Sequence, residues 1–141
     1  MTSPSGWHAA VNCALLILAS GLFAPAQADS RSAYLLHCGG CHRADGSGLP
    51  PSVPSLVGPL GYLADSPEGR DYMARVPGAA QAPLSDEELA AVLNWVLWEF
   101  NATTLPASFR PLQGSEVGRA RSRVLADPQK RRQEIWPQPG G

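Results

Sequence analysis

Methionine, cysteine and histidine are scarce in this chain of 141 residues, which holds two, three and three of them. So few soft and imidazole donors leave no second Cys or His pair with which to complete a structural zinc site. Charge of one sign is lacking too. Eleven basic residues stand against twelve acidic ones, so the whole chain has no nucleic-acid footprint, and no nucleic-acid partner is expected. A long apolar run is also missing. The best stretch, Val11 to Phe23, is interrupted by Asn12 and Ser20 and falls short of the roughly 20 residues that span a bilayer. It is followed by Ala26-Gln27-Ala28, a small-x-small cleavage signal, so residues 1–28 read as a secretory signal peptide cut before Asp29. No Lys or Arg precedes the run, which departs from the usual signal. The expectation is export to a bacterial periplasm with no permanent membrane anchor. Cys13 then leaves with the signal, and Cys38 and Cys41 are the cysteines that stay.

What is present is Cys38-Gly39-Gly40-Cys41-His42. Cys-x-x-Cys alone fits a redox dithiol, a structural disulfide or half a zinc site. The histidine immediately after the second cysteine points to covalent haem: two thiols add to the two vinyl groups, and the imidazole reaches the iron. A thioredoxin-like dithiol would want a strand before Cys38, and nothing strand-like precedes it. The motif occurs once, so one haem is expected.

Fourteen prolines and fourteen glycines predict long ordered loops between few helices. Residues 30–38 predict a short helix capped by Ser30, with Tyr34 one turn before Cys38 and His37 facing solvent. Arg43 to Gly61 is dense in Gly and Pro and reads as a loop. Its Leu49, Val53, Leu56 and Val57 suit packing against a flat apolar group. Residues 66–75 are weakly helical behind Pro67, and 76–83 read as loop. Ser85-Asp86-Glu87-Glu88 is a capping box. The stripe Leu89, Val92, Leu93, Val96 and Phe100, widened by Trp95 and Trp98, predicts a core helix. From Asn101 the balance reverses. Residues 101–141 carry seven basic and three acidic side chains, net +4, whereas 29–100 carry four and nine, net −5. Either this basic extension folds back over the acidic body, with Phe109, Leu112, Val117 and Leu125 as anchors, or it stays mobile and steers docking. A short basic helix near 115–125 and a loose end from Trp136 are expected. The domain reading is signal 1–28, haem domain 29–100 and basic extension 101–141.

Between Ser30 and Phe100 these residues resemble a class I c-type cytochrome. The resemblance rests on Tyr34, Cys38-x-x-Cys41-His42, Gly46-Ser-Gly-Leu-Pro-Pro51 with Pro54 beyond, and Leu84-Ser-Asp-Glu-Glu-Leu89. It implies an all-α cytochrome c fold, with three to five short helices wrapped around one haem c. Thioethers would run from Cys38 and Cys41, His42 would be the proximal iron ligand, and the carbonyl near Pro54 would accept from its other ring nitrogen. Tyr34 and Trp95 would lie where the first and last helices cross. Such proteins usually present a methionine several residues before the last helix. Here that place reads Val76-Pro77-Gly78, and Met73 stands three residues early. Met73 as distal ligand, or a distal position left empty or to water, are the two alternatives.

The function implied is a periplasmic single-electron carrier between a dehydrogenase donor and a cytochrome or terminal oxidase. It would not be an enzyme, since the sequence shows no acid, base and nucleophile set. The rival reading is a five-coordinate haem protein that binds a gas or reacts with peroxide.

Overall fold

The chain enters its first helix through Asp29. The computed structural model describes residues 29–136, so the signal-peptide reading, Cys13 and the end beyond Trp136 lie outside the described residues. Helix α1 (Ser30–His37) is capped by the Asp29 carboxylate, which accepts from Arg31 N at 2.9 Å and Ser32 N at 3.2 Å. The cap is thus one residue earlier than the sequence suggested, because a carboxylate satisfies two free amides where the Ser30 hydroxyl would satisfy one. A single turn, α2 (Gly39–His42), follows, then a 3-10 helix (Pro59–Asp65), α3 (Pro67–Arg75), the single turn α4 (Pro77–Ala80) and α5 (Asp86–Asn101). Two further helices complete the described chain, α6 (Gly114–Arg121) and α7 (Pro128–Ile135). The architecture is all-α, and the one β pairing among the described residues is an isolated bridge, Leu49 to Val53.

Proline opens helices here rather than breaking them. Pro59, Pro67, Pro77 and Pro128 all sit in first turns, where the missing amide proton costs nothing. The helical pieces at 59–65 and 77–80, in stretches read as loop, and α7 all begin this way. The capping box on α5 is complete: Ser85 Oγ accepts from Glu88 N at 3.2 Å, and the Glu88 carboxylate accepts from Ser85 N at 2.8 Å.

Two apolar clusters share α5. One joins α1 to α5 through Ala33, Tyr34, Val92 and Val96, with Cys38, Trp95 and Phe100 packed on it. Tyr34 meets Trp95 at 5.0 Å and Phe100 at 5.5 Å between ring centroids, and Trp95 meets Phe100 at 5.2 Å. Trp98 is not part of this core. It is about half exposed and stands edge-on to Phe109 at 6.0 Å.

The second cluster joins Leu63, Tyr72, Met73, Leu89 and Leu97 to Leu112, Val117 and Ala120. The residues after Asn101 therefore fold back and complete this core. Leu112 and Val117 are 2% and 0% exposed, and Phe109 and Leu125 pack on the cluster's edge. The segment is tied polar-side as well. Asn94, buried in α5, donates to Leu112 O at 3.0 Å and accepts from Leu112 N at 2.8 Å.

Arg70 of α3 grips the Glu116 carboxylate of α6 through Nε and Nη2, both at 2.7 Å. That bidentate bond holds the Glu116 carboxyl below its ordinary range. A depressed folded pKa adds stability above the unfolded value, lost as pH falls through the folded one. Glu116→Gln is therefore expected to lower stability by about 1–2 kcal/mol at pH 7. The gap from wild type should begin to narrow as pH falls through the ordinary glutamate value of about 4.3, and close only once it has passed below the depressed folded value. Thermal melts across pH 3–7 measure it.

Candidate functional site

Cys38, Cys41 and His42 come together because α1 ends at Cys38 and the chain restarts in one tight turn. Cys38 N is bonded to Tyr34 O at 2.8 Å, and Cys38 O accepts from Cys41 N at 3.2 Å and His42 N at 2.9 Å. Gly39 and Gly40 fill the turn. Both cysteines are free thiols; Cys38 is half-buried and Cys41 exposed. Burial first, then the neighbouring Cys41, pushes the Cys38 thiol up.

His42 is oriented by the loop after it. Its Nδ1 lies 3.1 Å from Pro54 O, which accepts its proton and leaves Nε2 free. Burial holds the His42 pKa below its ordinary value, opposed by the Pro54 bond, so the ring is neutral near pH 7 with a lone pair to offer. The loop reaches back because it folds tightly on itself. Gly48 N donates to His42 O at 3.1 Å and Leu56 N to Gly46 O at 2.8 Å. Gly48 has φ +69°, and a Cβ there would stand 2.6 Å from Val53 O and 2.7 Å from Pro54 O, so this approach needs glycine. Arg43, at φ 62°, turns its carbonyl to accept from Tyr34 Oη at 2.6 Å, tying the loop's start to the first helix. Burial pushes Tyr34 up to about 12, so its hydroxyl stays a donor.

Asn101, which the sequence did not mark, closes the other end of the loop. It is fully buried, donates to Leu56 O at 2.8 Å and Val96 O at 3.2 Å, and accepts from Gly61 N at 3.2 Å. Its only sequence signal is a polar residue ending an apolar stripe.

The donor set fits a haem bound through two thioethers and one imidazole. A neutral ring with one nitrogen spoken for presents the other to iron, and the two thiols lie on the turn beside it. Leu49 and Val57, in the loop that carries Pro54, are left exposed, as residues under a flat apolar ligand would be without it. His37 is apart from this set and half-buried rather than solvent-facing. It lines a groove between α1 and the start of α5 with Leu36, Pro83, Leu84 and Glu88. Met73, on α3, is 4% exposed within the second apolar cluster. Among the described residues, no helix is long and apolar enough to cross a membrane.

No family model matches the chain. Two curated proteins are similar to it, both from Thermus thermophilus. One cytochrome c-552 is 30% identical over 133 residues, covering 82% of this chain and 89% of the relative. A second cytochrome c-552 is 30% identical over 121 residues, covering 73% and 92%.

Proposed function

The chain belongs to the class I c-type cytochromes, haem electron-transfer proteins, and from that premise we propose that it is a periplasmic carrier of single electrons working through one haem c. The observation that carries this reading is the His42–Pro54 bond beside two free cysteines. A bound haem supplies a one-electron iron couple. The chain's own part is to hold. Cys38 and Cys41 anchor the group so that it is not lost outside the cell. His42, fixed by Pro54 O, keeps one ring orientation in both oxidation states. The stapled loop 43–58 would hold the Pro54 carbonyl against His42 when the haem is bound. The partners in this reading are a periplasmic dehydrogenase and a cytochrome or terminal oxidase, and the protein relays electrons without transforming a substrate. Voltammetry of the purified holoprotein is expected to give one reversible one-electron wave; no wave, or several, would count against a mono-haem carrier.

The position of Met73 favours a second reading for the distal side. Its side chain is enclosed by protein, as that of a packing residue is, and it is the one methionine among the described residues. In this reading the sixth iron position is left to water or a small exogenous ligand. Met73→Ala is then expected to lower stability by about 2–4 kcal/mol through the cavity it leaves, with the ferric absorption spectrum unchanged. Loss of a sulfur-to-iron charge-transfer band, with a fall in potential, would instead identify Met73 as the ligand.

A further inference from the structure

The linker between α4 and α5 is held by a side chain from outside the haem-binding half of the chain. Arg121, the last residue of α6, sends its guanidinium across to it. Nε and Nη2 donate to Ala80 O at 3.1 and 2.8 Å, Nη2 to Ala82 O at 2.8 Å, and Nη1 to Leu84 O at 2.8 Å. Nη1 also stands 3.3 Å from Asp86 Oδ1. Four of these five bonds end on backbone carbonyls, so the grip sets geometry more than it balances charge. A planar fork of five donors spans these three carbonyls and makes four bonds to them; a lysine ammonium, three donors on one nitrogen, cannot make the same set.

Helix α6 comes close enough for this because it meets α5 through glycines. A Cβ on Gly118 would collide with Asp86 Oδ2, and one on Gly114 would stand 2.7 Å from Glu87 Oε1. At the far end of the linker, Leu84 packs on both apolar clusters, including the one that Cys38 joins with Tyr34 and Val92. The side chain of Arg121 is only 16% exposed. A mere solubilising charge would not be placed so.

We propose that Arg121 is a positioning residue for the haem site: it locks residues 80–84, keeps Leu84 seated beside the Cys38 cluster, and so makes the C-terminal extension a brace on the turn that carries the haem. The inference rests on the haem reading above. It accounts for why a basic extension is built into the fold rather than appended to it.

The test uses the full-length holoprotein as wild type, Arg121→Ala, Arg121→Lys and Glu116→Gln. The last loosens α6 without touching the linker. Two quantities are read: amide exchange at Gln81, Ala82 and Leu84, whose N–H groups bond within the linker region, and the rate of cyanide binding to the ferric form. Both Arg121 variants are expected to raise both by about tenfold, the worth of one lost hydrogen bond to a charged group, while Glu116→Gln leaves them near wild type. Should Arg121→Ala fail to fold, Arg121→Lys, which retains the charge beside Asp86, carries the test alone. Wild-type exchange and cyanide rates in Arg121→Lys would overturn the proposal, as would an equal rise in Glu116→Gln. Freely extractable haem in wild type would sink the haem reading, and the exchange result would still decide whether Arg121 locks the linker.

Discussion

Cutting the chain after Ala102 is expected to lower the melting temperature by about 20 °C or more, and to leave a protein marginally folded at 25 °C. The extension contributes Leu112 and Val117, both buried in the cluster that also holds Leu63, Met73, Leu89 and Leu97. Each such side chain is worth about 1.5–3 kcal/mol of burial. The cut also removes both hydrogen bonds between Asn94 and Leu112, together worth about 1–3 kcal/mol. The loss, about 4–9 kcal/mol, is comparable with the whole stability of a small domain. The ion pair of Arg123 with Asp71 and the bonds from Arg75 to Arg123 O and Val124 O would go as well. A mobile steering tail would behave the other way, with an unchanged melt and an electron-transfer rate that has lost its ionic-strength dependence. Calorimetry of the truncated holoprotein distinguishes them.

The second large effect is expected at the motif itself. Changing Cys38 and Cys41 together to Ser should abolish covalent haem altogether, because no other thiol lies among the described residues. His42→Ala should leave haem attached where it matures at all, but without its proximal imidazole. The product is expected to be high-spin and poorly folded, since the His42–Pro54 bond that anchors the loop goes with the ring. Haem staining after denaturing electrophoresis and the ferric spectrum read these two outcomes.

What was legible in the sequence was local. Cys38-x-x-Cys41-His42, the Ser85–Glu88 capping box and the stripe from Leu89 to Val96 each depend on spacings of a few residues. The four apolar anchors of the extension were legible too, because apolar residues among charges need cover. What was not legible is set by distant partners. Arg121 reads as one more charge in a basic helix until three carbonyls from the linker face it. Asn101 reads as a helix end until loop atoms around 56–61 converge on it. Helix α7 has almost no apolar face, so periodicity could not announce it; its signals are the Asp127 cap and Pro128. Trp98 reads as a widening of the stripe, yet it stands about half exposed while Leu97 and Asn101 at the same turn are fully buried, so it lies on the outer face of a helix still packed there.

The central claim is that Cys38 and Cys41 carry one covalently bound haem between them. Mass spectrometry of a proteolytic peptide spanning residues 34–43, taken after acid–acetone extraction and thiol alkylation, tests it most directly. The expected result is one haem on that peptide and no alkylation at either cysteine. A peptide with both thiols alkylated and no haem, and haem recovered in the acetone, would contradict it.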